Sequence, residues 1–330
     1  MKPSITLPTV KNKSFCVAGV IVLIVLAIAS LFVGKYPLTI HQLIAGNEMH
    51  WRVFMTLRCS RTIVGVIGGF ALGIAGFIYQ TVFRNPLASP DIVGVSSGAS
   101  AGAAVGILFL SGAASVTLSA FGGALLAVVL ALALSSLDRN SKNSTVVLSG
   151  IAVHSLAQTI LMCLKLAADP ERELASIEYW IMGSLSGISG YSIGGNLVLC
   201  MACIAVLFML HRQVILLSAE EGEARMLGVN VPQLRIAVML IATLVVSAVV
   251  SLSGLISFVG LLAPHGARMI TKDNRADTML LSGLLGGILL CSADIFARSA
   301  ASTELPVSIF TSLLGVPFLV FLIVRERRKL

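Results

Sequence analysis

Apolar runs of membrane length dominate the chain, and nine are clear: near residues 15–33, 62–82, 92–110, 115–137, 145–167, 193–210, 234–256, 278–298 and 307–324. A helix needs about 17–25 apolar residues to cross roughly 30 Å of hydrocarbon. Only 12% of the 330 residues are charged and 57% are hydrophobic, whereas soluble domains carry about 25% charge. So few charges cannot cover a water-facing surface, and the chain is an integral membrane protein.

A tenth stretch, Phe258–Ile270, is apolar but holds only 13 residues, about 20 Å of helix. Charge decides its status. Lys and Arg in short loops stay on the cytoplasmic side, and both ends of the chain are basic, through Lys2, Lys11 and Lys13 and through Arg325, Arg327, Arg328 and Lys329. Both termini are therefore expected inside. That parity makes the short stretch cross, aided by less regular chain through Ser251, Ser253 and Gly254. The expected fold is all-α, with ten transmembrane helices in one domain over residues 1–330. Of the 23 Lys and Arg, 16 then lie inside, and the seven outside are Lys35, Arg52, Arg58, Arg61, Lys165, Arg172 and Arg298. Ala27 and Ala29 have the spacing of a signal-peptide cleavage site, but the apolar run continues through Val33, which favours an uncleaved helix.

The net charge of +8 is scattered between apolar runs, which excludes a nucleic-acid surface. Cys16, Cys59, Cys163, Cys200, Cys203 and Cys291 fall mostly inside those runs, as small core residues and not as a disulfide or metal framework. Polar segments at 34–61, 169–191 and 211–232 are too short for a separate domain.

Lipid supplies little hydrophobic drive between helices, so close approach depends on small residues. Gly65, Gly69 and Gly73 recur every four positions in the second run, as do Gly98, Gly102 and Gly106 in the third, giving two packing faces. The fifth run carries a polar stripe of His154, Gln158, Met162 and Lys165, which should avoid lipid and face an interior, a pathway or another subunit. Asp294 and Arg298 stand four apart in the order that favours an ion pair, and Arg298 could also snorkel to the outer interface. There is no G-x-x-x-x-G-K-[ST], H-E-x-x-H or G-x-S-x-G, so the chain has no nucleotide loop or hydrolase signature of its own. No metal centre is expected from its Cys, His and carboxylates.

Specific motifs then narrow the class. Arg84-Asn85-Pro86-Leu87-Ala88-Ser89-Pro90-Asp91 is followed by Val93-Gly94-Val95-Ser96-Ser97-Gly98-Ala99. Arg58-Cys59-Ser60-Arg61, Trp180-Ile181-Met182-Gly183-Ser184-Leu185, Ala224-Arg225-Met226-Leu227-Gly228-Val229, Gly254–Leu261 with Ala263-Pro264-His265, Ala293-Asp294, and Glu304-Leu305-Pro306-Val307 complete an ordered series over about residues 50–325. This series resembles the FecCD-type permeases, membrane subunits of type II ABC importers for iron-siderophore complexes, haem and vitamin B12. Departures are local: Cys59-Ser60 stands where the family usually has Leu-Pro, and Leu255-Ile256-Ser257 where it usually has Pro-Ile-Ser.

The resemblance implies ten spans in a bacterial cytoplasmic membrane. It implies partners too: a second permease subunit, two cytoplasmic ATPases that bind ATP and Mg, and a periplasmic or lipoprotein substrate-binding protein. The chain itself would be no enzyme and hold no cofactor, and a ferric-siderophore complex is its expected cargo, with haem or vitamin B12 as alternatives. A secondary transporter would be expected to show paired membrane carboxylates or broken-helix ion sites, and Asp294 is the only acid clearly inside a run. By the same resemblance Arg58, Arg61 and Arg298 dock carboxylates of the binding protein. Glu220, Glu221, Ala224, Arg225, Leu227 and Gly228, within a cytoplasmic segment of about 216–232, couple to the ATPase through a short helix over 218–229. Asn85, Leu87, Asn143 and Ser144 close the cytoplasmic mouth, with His154 and Gln158 lining the route.

Overall fold

A computed structural model describes residues 10–36, 38, 40–44, 48–110, 112–137, 143–188, 193–219, 221–228, 230–301 and 303–327. The described residues contain helices and connections but no strands. In chain order the helices are α1 (Val10–Phe32), α2 (Ile40–Ile44), α3 (Glu48–Arg52), α4 (Ser60–Val82), α5 (Val95–Phe109), α6 (Ala113–Ser136), α7 (Asn143–Ala167) and α8 (Glu173–Met182). They continue as α9 (Gly194–Met209), α10 (His211–Leu216), α11 (Glu221–Met226), α12 (Val231–Ser253), α13 (Val259–Thr271), α14 (Ala276–Ser299) and α15 (Val307–Arg327).

Each of the ten apolar stretches is helical. Among the described residues six helices are long and apolar enough to cross a membrane, and three shorter apolar ones are Val95–Phe109, Gly194–Met209 and Val307–Phe321. The described residues of the polar segment 34–61 include the short helices α2 and α3. A π-helical stretch at Val53–Cys59 joins α3 to α4, so one helix runs 35 residues from Glu48 to Val82.

α4 is the centre of the bundle. From Ala71 to Phe83 every residue is buried, and a helix buried all round belongs in a core. It packs against α1, α12, α13 and α14, while α5, α6 and α7 form a second group that meets it through α12. Phe77, Ile78 and Tyr79 lie with Met239, Val245 and Val246 of α12 and with Cys203 and Leu207 of α9. The Tyr79 hydroxyl is paired with Thr243 at 2.7 Å, as a polar group in a dry interior requires.

Both glycine faces have partners. A Cβ at Gly69 would stand 2.5 Å from the Gly286 carbonyl oxygen, and one at Gly73 would stand 2.2 Å from that of Ser282, both on α14. A Cβ at Gly102 would come within 2.1 Å of the Ser119 carbonyl oxygen on α6. These helices meet backbone to backbone, where even a methyl group has no space.

α12 continues through Ser251 and Ser253, and irregular chain starts only at Gly254. There two backbones cross. A Cβ on Gly254 would strike the Trp180 carbonyl oxygen at 2.1 Å, and one on Gly183 the Leu255 carbonyl oxygen at 1.9 Å. Ser184 N–H donates to Ser253 O at 2.7 Å and Val307 N–H to Gly183 O at 3.0 Å, so the ends of α8 and α12 and the start of α15 share one junction. α13 leaves it at Phe258, carries Pro264 and ends after Thr271.

Overpacking a filled core costs about 1–3 kcal/mol or more. Gly102→Val is therefore expected to lower the thermal midpoint of the detergent-purified protein by several degrees. Gly122, with nothing within 4 Å of a Cβ, is the control, and Gly122→Ala should leave the midpoint unchanged or raise it.

Candidate functional site

One end of the bundle is held by a buried ionic cluster. Asp294 on α14 accepts from Arg61 Nε at 2.8 Å and from Arg298 Nη2 at 2.8 Å, and Arg61 Nη1 reaches Glu304 at 2.8 Å. Arg298 also donates to Ser30 O at 3.1 Å, Ser30 Oγ at 2.6 Å and Val33 O at 3.0 Å. Arg58 donates to Val33 O, and to Tyr36 O at 2.9 Å. Ser30 lies in the last turn of α1, whose final carbonyls lack helical partners and carry the negative end of the helix dipole. Two guanidinium groups therefore close that helix end, and Gly34 leaves room for the Arg58 head, since a Cβ there would overlap it at 1.7 Å.

The expected Asp294–Arg298 pair is present, but Arg298 does not snorkel: only 3% of it is exposed. Its guanidinium is satisfied inside by α1 and Asp294, which removes the reason to reach for water. Arg58 and Arg61 are likewise turned inward. All three line a cavity of about 200 Å³ together with Lys35, Tyr36, Ser186 and Glu304, and Arg61 Nη2 has no hydrogen-bond partner.

α7 presents a different surface. His154, Ser155, Thr159 and Met162 are exposed and Gln158 is half-buried, so the polar stripe lies on a face that this chain does not cover. Of the settings expected for the stripe, an interior, a pathway or another subunit, the interior of this chain is not the one found; at its end the half-buried Lys165 pairs with Glu178 of α8 at 2.8 Å. Ser144 is exposed at the start of α7, and the side chain of Asn143 lies outside the described residues. Asn85 shapes its own loop, its Oδ1 accepting from Leu87 N–H at 2.9 Å and its carbonyl from Ala88 N–H at 3.1 Å, and Leu87 is exposed. A short 3-10 turn, Pro90–Val93, carries this loop against α7.

The segment between α10 and α12 contains α11 (Glu221–Met226), shorter than the helix expected over 218–229. Glu220 and Val229, and the side chains of Glu221 and Arg225, lie outside the described residues. Gly228 ends the helix in the left-handed conformation, φ 81°, as its glycine implies. Ala224 faces inward and is 1% exposed, so it seats α11 on its own chain and does not present a contact surface. The outward apolar residues are Met226 at 81% and Leu227 at 62% exposure.

Sequence reasoning missed Arg268, a half-buried residue near the end of α13 whose guanidinium sits 4.8 Å above the Phe77 ring centroid and bonds Gln80 and Thr81 of α4. Its only sequence signal is a lone cation inside the short apolar stretch Phe258–Ile270. Among the described residues no group of His, Cys, Asp and Glu could hold a metal ion.

Comparison with known proteins is decisive for the class. The model of the FecCD transport family matches residues 22–325. The chain belongs to this family. It is 37% identical over 82% of its length to the cobalamin import system permease protein BtuC of Halobacterium salinarum, covering 73% of that protein. It is 35% identical over 94% of its length to the hemin transport system permease protein HmuU of Yersinia pestis, covering 95% of that protein. A solved inward-facing ABC transporter assigned to the metal-chelate type superposes with TM-score 0.84 at 29% identity, over 95% of this chain and 99% of that one. The FecCD chain is thus a permease subunit of an ABC importer, a transport component whose ATP hydrolysis falls to a separate subunit.

Removing one partner of a buried ion pair costs about 3–5 kcal/mol, because the remaining charges stay buried unpaired. Asp294→Asn is expected to destabilise the permease on that scale, seen as a strongly lowered thermal midpoint. Glu304 is partly exposed, and Glu304→Gln should cost about 1 kcal/mol or less.

Proposed function

We propose that the chain crosses the bacterial cytoplasmic membrane ten times as a single domain, with both termini inside, and moves a ferric-siderophore complex inward. The observation that carries the reading is the uncovered polar stripe on α7 in a FecCD permease. An imidazole such as His154 facing lipid would be costly, whereas the Ser155 and Thr159 hydroxyls bond back to Ile151 O and Ser155 O of their own helix; a second permease subunit and a water-filled route between the two copies are the natural surroundings of His154. A route lined by His154 and Gln158, with no metal-ligand cluster among the described residues, suits a cargo whose iron is already fully coordinated by its chelator. Asn85, Leu87, Asn143 and Ser144 then stand at the inner mouth.

On the cytoplasmic side Met226 and Leu227 offer an apolar contact for an ATPase that binds ATP and Mg, beside Glu220, Glu221 and Arg225. On the outer side Arg58, Arg61, Arg298 and Lys35 ring a cavity, and a carboxylate of a substrate-binding protein fits its charge. Planar guanidinium groups favour such a partner.

Reconstitution with the ATPase and the binding protein tests the cargo. ATP-dependent uptake of a radiolabelled ferric hydroxamate or catecholate, above that of haem and cobalamin, is expected. Preferred uptake of haem or cobalamin would overturn the cargo assignment, and uptake driven by an ion gradient without ATP would overturn the mechanism. Met226→Glu with Leu227→Glu should weaken co-purification of the ATPase by roughly tenfold or more, about 1.4 kcal/mol.

A further inference from the structure

The inner end of α4 closes in an uneconomical way. Arg84 N–H donates to Thr81 O at 3.2 Å and Asn85 N–H to Gln80 O at 3.2 Å, the paired bonds of a Schellman motif. Its left-handed position, normally glycine, is held by Arg84 at φ 51°. A side chain there crowds the following carbonyl, and such strain persists only where surrounding structure imposes it.

The side chain shows what imposes it. Arg84 Nε donates to Leu217 O at 3.1 Å, and Leu217 is buried between α10 and α11. The same turn of α4 is gripped from the other side by Arg268 of α13, through Gln80, Thr81 and the face of Phe77. Beyond Arg84 the chain runs through the Asn85 turn into Pro90–Val93, which lies against α7 so closely that a Cβ on Gly150 would be 2.0 Å from Ile92 O. Gly94 completes the contact, its Cβ position 3.5 Å from His154 N.

We propose that Arg84 is a positioning strut: it passes displacement of the 217–228 segment to the 85–94 loop and so to the pathway face of α7. Its backbone ends a helix fixed to α13, and its side chain is held by the segment that carries α11. The α4 end is therefore a pivot, with the loop as its lever. This rests on the reading of α11 as the ATPase contact. Glycine would end α4 with less strain, so helix termination alone does not account for an arginine here.

The test uses the full complex in lipid nanodiscs, with native cysteines replaced and nitroxides on Ser144→Cys and Ile270→Cys, and follows their separation as ATP and vanadate are added. A nucleotide-driven shift is expected with Arg84 present. Arg84→Gly should reduce that shift to less than a third while the thermal midpoint holds or rises, because backbone strain is relieved. Arg84→Ala should lose the shift equally and melt lower, and Arg84→Lys should recover part of it. A full shift in Arg84→Gly would overturn the strut. A lower midpoint with loss of the ATPase in Arg84→Gly would show that the side chain only braces the fold, which also overturns it. Absence of any shift with Arg84 present would defeat the ATPase-contact reading itself, and the strut with it.

Discussion

Helices in a bilayer gain little from hiding apolar surface from one another, so what holds this bundle is how closely their backbones can meet. The contact of α4 with α14 is the main case. Gly69 and Gly73 lie against Gly286 and Ser282 with no space for a side chain, which brings the two helix axes together and lets Leu72, Ile74 and Phe77 pack on the surrounding helices. α5 repeats the device on α6 through Gly98 and Gly102. Everything else is arranged around these two pairs, with α12 lying between them.

The second constraint is electrostatic. A charge buried without partners would not survive in this medium, and the buried charges Arg58, Arg61, Asp294 and Arg298 are gathered so that each has two or more. Arg61, Asp294, Arg298 and Glu304 neutralise one another, while Arg58 and Arg298 take the end carbonyls of α1. One cluster thereby ties α1, α4, α14 and the loop before α15. At the other end the Arg268 guanidinium covers the Phe77 ring and donates to neutral oxygens of Gln80, Phe77, Thr81 and Asn274. A guanidinium tolerates this because it is weakly hydrated and stacks on aromatic faces.

Arg58, Arg61 and Arg298 thus combine two features in one geometry. They brace the fold through the donors that point inward, and they line a cavity through the rest of their surface. A docking partner would meet a rim already fixed by internal bonds, which limits the ordering needed on association. On α7 the opposite holds, since a polar face is left with no cover from this chain. α4, by contrast, is buried all round from Ala71 to Phe83 within one chain.

Hydrophobic runs of membrane length, the sign of charge at both ends, the two glycine faces and the motif series from Arg58 to Val307 depend on local chemistry, and each was legible in the sequence. So was Gly228, whose left-handed turn needs only the missing Cβ. What a glycine face packs against, which way a guanidinium turns and whether Ala224 points in or out depend on residues far away in the chain. Ser30, Arg61, Arg298 and Glu304 are brought together only by tertiary structure, and so are Arg84 and Leu217. No periodicity encodes those pairings, because burial and partner choice are properties of the assembled bundle, whereas helix formation in lipid is imposed on each segment by its own backbone.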